Sequence, residues 1–426
     1  MTWKLPYEWA GALDLAALAP CRLVRHPVTN DDRPVPDLAA ALASPIGSPP
    51  LAEVLHGART VLVLVDDLTR PTPQREMLPV VLDAIVAAGI AERDITVLVA
   101  TGLHRAMSGA EIEARFGPRV TGRVRVSCHD AYRGDGLVRI GSAADGTPIL
   151  VNRLVTSHDV VIAVGCIEPH RVAGFSGGAK MVQPGICGEP VTASIHWRGW
   201  LTEGEELYGV PDNPIRREME EIAAKAGLRF IVNVVLDSDG RPRAYFCGDP
   251  RLAFREGCRE SLGLCSVEIE PADIVVADSW PFDIELWQAC KAVSVAELVV
   301  RPGGTVVLVT PCPERLSRHE NDIMRTGYLP ASEIRRRVAD GSIGNLAIAC
   351  HLMALGRILE RGELIIVSPG LDDELCRRAG LTRAATVTEA IARARARLGR
   401  HATSVGILEH PCTMVPRVPS ERSDRG

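Results

Sequence analysis

The chain has 426 residues, more than one hydrophobic core usually serves, so two or three domains are expected. Hydrophobic residues make up 46% and charged residues 24%, the balance of an ordinary soluble enzyme rather than of a disordered or fibrous chain. A net charge of −5 with no Lys/Arg-rich run speaks against a nucleic-acid partner, and the absence of any apolar run of about 18 residues speaks against a membrane span.

The start, Met1-Thr2-Trp3-Lys4-Leu5-Pro6, has neither the basic opening nor the apolar run of a secretory signal, so a cytoplasmic location is expected. Twelve cysteines are scattered singly, with no CxxC pair to build a zinc site, and read as reduced, mostly buried thiols.

Strand-like and helix-like segments alternate. Thr60 to Val65 is an apolar strand, and Pro73 to Ala88 after it has helical periodicity, with Gly89 as a stop. Ile95 to Ala100, Asp159 to Val164 and Arg229 to Leu236 read as further strands, the last preceded by an amphipathic segment from Pro214 to Gly227. A second block alternates in the same way: strands at Asp273 to Ala277, Gly304 to Thr310 and Glu363 to Ser368, with helices at Glu285 to Val299, Ala331 to Ala339, Asn345 to Arg361 and Val387 to Leu398. The pattern predicts an α/β chain of two domains, each a mostly parallel sheet flanked by helices. The expected limits are 1–265 and 266–416, followed by a polar, disordered tail at 417–426.

Ligands of open α/β sheets bind beyond the carboxyl ends of the strands, so the residues there matter most. After the first strand stands Asp66-Asp67-Leu68-Thr69-Arg70-Pro71-Thr72-Pro73, an acid, a hydroxyl and an arginine leading into a helix. This suits an anion-binding turn, or simply a capped helix. After the second comes Thr101-Gly102-Leu103-His104, and after the third Glu168-Pro169-His170. A single histidine is usually structural; two at equivalent strand ends could face one cleft.

The second histidine runs into Gly174-Phe-Ser-Gly-Gly-Ala-Lys180. A phosphate loop of the Walker type needs glycine before the lysine and Ser or Thr after it, whereas Ala179 and Met181 stand there. What remains is a flexible, close-approach backbone carrying an amine, fit for a phosphate contact or a covalent link. His196 lies sixteen residues beyond Lys180, and imidazole is a common ligand for nickel, copper and zinc. In the second block Gln288 and Lys291 share a helix face, either as a solvated surface or as a grip for a carboxylate.

Taken together, Asp67-x-x-Arg70, Thr101-Gly-Leu-His104, Pro169-His170, Gly174 to Lys180, His196 and Gln288-x-x-Lys291 resemble the nickel-dependent lactate racemase family in order and spacing. The resemblance spans about Val65 to Gly304. It implies racemisation or epimerisation of a 2-hydroxy acid in a cleft between two α/β domains. It also implies a nickel pincer nucleotide, pyridinium-3,5-bisthiocarboxylic acid mononucleotide, tethered to Lys180, with nickel held by the nucleotide and His196. Asp67, Leu68, Thr69, Arg70 and Pro184 would contact the nucleotide, and Gln288 and Lys291 would line the cofactor and substrate site. His104 and His170 would be the paired acid and base.

The partners implied are a small 2-hydroxy acid and the proteins that make and deliver the nucleotide. The family's lactate enzyme carries a tryptophan in a late helical segment near its substrate, whereas Leu346 to Met353 here, with Cys350 and His351, has none. A substrate larger or more polar than lactate is therefore expected. The rival readings are an oxidoreductase or sugar-acid epimerase on the same cofactor, and a non-catalytic cofactor-binding protein.

Overall fold

The computed structural model describes residues 2–27, 36–399 and 403–419. They form two units. One holds residues 28–202 and 206–264; the other holds the chain up to Pro27, Glu203–Glu205, and everything from Cys265.

The first unit is built on a six-stranded sheet in the order Pro242–Gly248, Leu228–Leu236, Val160–Cys166, Val61–Val65, Ile95–Val99, Arg125–Cys128. All neighbours are parallel except the first pair. Every residue of Val61–Val65 and Val160–Cys166 is buried, because helices cover both faces of a parallel sheet and the pattern is continuously apolar rather than alternating. Helix Gln74–Ala87 presents Met77, Leu78, Val81, Leu82 and Ile85 to this core, a stripe at helical spacing.

Chain order runs outward from Val61–Val65 in one direction and then resumes on its other side at Val160–Cys166. These two strands flank the point where the winding reverses, which is where such sheets open a crevice at their carboxyl ends.

The second unit has its own six-stranded sheet, in the order Thr382–Arg383, Glu363–Val367, Val300–Val309, Ala272–Asp278, Val405–Leu408, Cys21–Val24, parallel throughout. The expected strands and helices of the second block are all present, and the α/β class with two parallel-dominated sheets holds.

The N-terminal segment departs from the expected division at 1–265. Cys21–Val24 pairs with Val405–Leu408, and Trp3, Leu5, Tyr7, Leu13 and Leu18 share a core with Ile274, Val276 and Ile407. Burying five large apolar side chains outweighs nearness along the chain. The tail expected from 417 also begins differently, since Val415–Arg417 pairs with Ser266–Glu268; residues 420–426 lie outside the described residues. Among the described residues no helix is long and apolar enough to cross a membrane. All twelve cysteines are free thiols.

Candidate active site

Three adjacent strands of the first sheet end in the residues singled out above. Val61–Val65 leads into Asp66 and Asp67, Ile95–Val99 into Thr101 to His104, and Val160–Cys166 into Glu168 to His170.

Asp66 is almost fully buried and is the brace of the first turn. Its carboxylate accepts from Thr72 Oγ1, Gln74 Nε2 (2.9 Å) and Arg115 (2.7 Å). Asp67, whose neighbour is thus immobilised, turns toward the second strand end. Its Oδ1 takes the Thr69 amide at 3.0 Å and hydroxyl at 2.5 Å, and its Oδ2 takes His104 Nδ1 at 2.7 Å. Burial alone would raise the Asp67 pKa, but adjacent His104 and Arg70 and these hydrogen bonds outweigh it and hold the carboxyl well below the usual carboxylate range. The carboxylate is ionised, so His104 carries its proton on Nδ1 and leaves Nε2 as a proton acceptor.

His170 has the opposite arrangement. Its Nδ1 accepts from the amides of Val172 (3.2 Å) and Ala173 (3.1 Å), which puts the ring proton on Nε2. The two histidines therefore rest in complementary tautomers.

His196 sits on helix Glu189–Leu201, its ring edge-on to His170 with centroids 6.5 Å apart. Its Nδ1 donates to the Thr192 carbonyl at 2.9 Å, so Nε2 bears the lone pair. Desolvation, helped by the nearby charge of Lys180, pushes its pKa down to about 4. It is neutral at physiological pH, the form that binds metals.

Lys180 lies on the short turn Gly178–Met181. The loop leading to it is not the flexible one expected. Gly174 has φ +76°, and a Cβ there would stand 2.1 Å from the Val210 carbonyl; one on Gly177, φ +73°, would stand 2.8 Å from the Cys166 carbonyl. Glycine is needed for fit, not for motion. Pro184 underlies the Thr101-Gly102 turn, with the Gly102 amide on the Gly185 carbonyl at 2.9 Å.

Asp67, expected at the nucleotide, thus faces His104. Arg70 is paired with Glu168 at 3.4 Å, a buried partner that the sequence did not suggest. Leu68 packs its side chain against the apolar core.

Two family models match, that of the lactate racemase N-terminal domain over residues 19–207 and that of the lactate racemase C-terminal domain over 267–414. The chain belongs to the lactate racemase family. Lactate racemase of Thermoanaerobacterium thermosaccharolyticum is 29% identical over 362 residues, covering 82% of this chain and 83% of that one. Lactate racemase of Lactiplantibacillus plantarum is 29% identical over 370 residues, 85% and 86% of the two chains. The structure of the Thermoanaerobacterium apoprotein superposes with a TM-score of 0.81 at 28% identity, over 89% of this chain and 92% of that one. A crystal structure of a Thermotoga maritima protein gives a TM-score of 0.73 at 21% identity, over 89% and 97%, which speaks for the fold alone. As a member of the lactate racemase family the chain is an isomerase of the racemase class.

The family's cofactor can be tested against the residues present. Among the described residues no group of three or more His, Cys, Asp or Glu is arranged to hold a metal. The neutral imidazole of His196, with Nε2 bearing the lone pair and Lys180 nearby, fits a metal carried on a tethered nucleotide.

In the second unit, Gln288 is buried on helix Leu286–Val299, and Lys291 Nζ lies 3.2 Å from the centre of the Phe282 ring. Gln288 does not belong to a solvated face, whereas Lys291 is half-buried. His351 is buried as well, 3% exposed, with Nε2 hydrogen-bonded to the Tyr328 hydroxyl at 2.6 Å. Its ring is stacked on Trp287 at 4.5 Å between centroids and 4° between planes. An indole from the neighbouring helix covers the imidazole.

Burial, aided by the His319 charge, pushes the His351 pKa down to about 3. The unfolded chain takes a proton near pH 6.5 and the folded one does not. Stability is therefore whole above that pH and falls below it by about 1.4 kcal/mol per pH unit for this group. Denaturant unfolding of the apoprotein between pH 7 and pH 5 should show this slope. His351→Phe, which keeps the stack but costs Tyr328 its hydrogen-bond partner, should be less stable at pH 7 and flatter in acid. An unchanged acid slope in that variant would reject the assignment.

Proposed function

We propose that the chain racemises or epimerises a 2-hydroxy acid, using a nickel pincer nucleotide tethered to Lys180 with His196 as a nickel ligand. The observation that carries this reading is the pair of complementary tautomers, His104 on Asp67 and His170 on two backbone amides, grouped with Lys180 around His196.

The Cα–H of a hydroxy acid is a very weak acid, since the carboxylate beside it is already negative. When bound, the nucleotide supplies a reversible acceptor for the hydride that leaves Cα. His104 takes the hydroxyl proton through Nε2, and the ionised Asp67 stabilises the imidazolium that results. His170 offers its Nε2–H to the oxygen as it becomes a carbonyl. In these tautomers His104 Nε2 accepts and His170 Nε2–H donates, so His104 is the base and His170 the acid for either enantiomer. Arg70, Thr69 and Pro184 are assigned to the nucleotide, and Gln288 and Lys291 to binding. The proteins that make and load the nucleotide are the partners this reading requires.

The substrate is assigned as larger or more polar than lactate, with the weight on polarity. The segment Leu346 to Met353 has no tryptophan, and its His351 is hydrogen-bonded to Tyr328. The test is a panel of single enantiomers (lactate, malate, longer aliphatic and aromatic hydroxy acids, sugar acids) with chiral detection of product. Malate or a sugar acid is expected to exceed lactate in kcat/KM; lactate as the best substrate would refute the assignment. A product at a changed oxidation state would refute racemisation itself.

A further inference from the structure

Among the described residues Arg216 is the largest fully buried side chain, and none of their carboxylates holds it. It stands in the first turn of helix Pro214–Lys225, its own amide capped by Asn213 Oδ1 at 2.9 Å. The guanidinium lies over the Phe254 ring at 4.1 Å. Its donors go to three main-chain carbonyls: Nε to Ala173 at 3.2 Å, Nη1 to Gly177 at 3.2 Å, and Nη2 to Phe175. The buried acid on the same helix, Glu220, is taken by Arg251 at 3.2 Å and Arg255 at 3.3 Å. Burial pushes the Arg216 pKa down to about 10, so it stays cationic at neutral pH.

A buried cation is costly, and an apolar side chain of similar volume would spare that cost. Its presence needs a reason in geometry. A guanidinium is a rigid planar fork that can hold several acceptors at fixed angles, which an ammonium cannot. The acceptors it holds are informative. Ala173 donates its N–H to His170 Nδ1 and gives its carbonyl, in the next peptide group, to Arg216. The Gly177 carbonyl accepts both Arg216 Nη1 and the Lys180 amide, the latter at 3.1 Å. One planar group thus ties a residue that donates to His170 Nδ1 to the residue that starts the Lys180 turn.

We propose that Arg216 is a positioning residue that fixes His170 in its Nε2–H tautomer and holds it in register with Lys180. The inference rests on the reading of His170 and Lys180 as site residues, and it deepens that reading by naming what places them. It touches neither substrate nor cofactor.

The test uses the full-length apoprotein and the loaded enzyme. Imidazole ¹⁵N spectra of the apoprotein, with His170 assigned by its loss in His170→Gln, should show an unprotonated Nδ1 and a protonated Nε2. In Arg216→Lys that signature should be lost or averaged while unfolding stays cooperative. In the loaded enzyme kcat should fall about 10²-fold, as for misplacement of a reacting group by about 1 Å, with KM changed less than about 3-fold.

A folded Arg216→Lys protein that keeps both the wild-type His170 signature and the wild-type kcat would overturn the proposal. If that variant does not fold, Phe254→Leu takes its place. It keeps the guanidinium but removes the ring beneath it, and the same two changes are expected in weaker form; a wild-type result there is equally decisive. Should the wild type racemise no hydroxy acid while Arg216→Lys still shifts His170, the clamp stands and the functional reading fails.

Discussion

Asp67→Asn is expected to lower kcat/KM by about 10²–10⁴-fold while leaving the fold intact. The carboxylate holds the His104 proton on Nδ1 at 2.7 Å and stabilises the imidazolium formed when Nε2 takes the hydroxyl proton. An amide is close to isosteric but neutral, and its N–H can donate to Nδ1. That places the ring proton on Nε2 and removes the acceptor. His104→Ala should lose at least as much, and the double variant should be no worse than His104→Ala, because the pair acts as a unit. Both enantiomers must be affected equally, since they have the same free energy and kcat/KM is equal in the two directions. A fivefold loss or less for Asp67→Asn would mean that the carboxylate serves the nucleotide rather than the imidazole.

Loss of nickel from His196→Ala is the second large effect expected. The ring is neutral, its Nδ1 is committed to the Thr192 carbonyl, and its Nε2 is the free ligand atom. Removing one ligand of a tight site should cost at least about 10-fold in metal retention, measured as nickel per chain after gel filtration against a chelator. His170→Ala, which removes the neighbouring ring, should retain nickel near the wild-type level. Equal retention in His196→Ala and wild type would move the metal elsewhere.

The strands and the residues at their ends were legible because a parallel sheet covered on both faces writes itself as unbroken apolar runs, as in Val61–Val65 and Val160–Cys166. The pairings across those ends were not. His104 meets Asp67 because Ile95–Val99 lies beside Val61–Val65 in a register that periodicity does not encode. Glu168 on Arg70 and Arg216 beneath the glycine loop were missed for the same reason: a buried ion or cation reads in sequence like any surface charge.

The glycines were read as freedom, whereas contacts such as Val210 against Gly174 make them a tight fit. The four residues Cys21–Val24 carry too little pattern to announce a partner strand more than 380 positions away, at Val405–Leu408. The stack of Trp287 on His351 was not legible, because the two rings stand on different helices whose packing periodicity does not encode.

The central claim is the tether on Lys180, and intact-mass spectrometry of the protein purified from a host that makes the nucleotide tests it most directly. The wild type should carry a single added mass equal to the nickel nucleotide, localised by peptide mapping to Lys180, with about one nickel per chain. Lys180→Ala should show the bare chain mass and no racemisation. A wild-type protein that racemises its substrate at the bare chain mass, or a Lys180→Ala protein with full nickel and activity, would contradict the account.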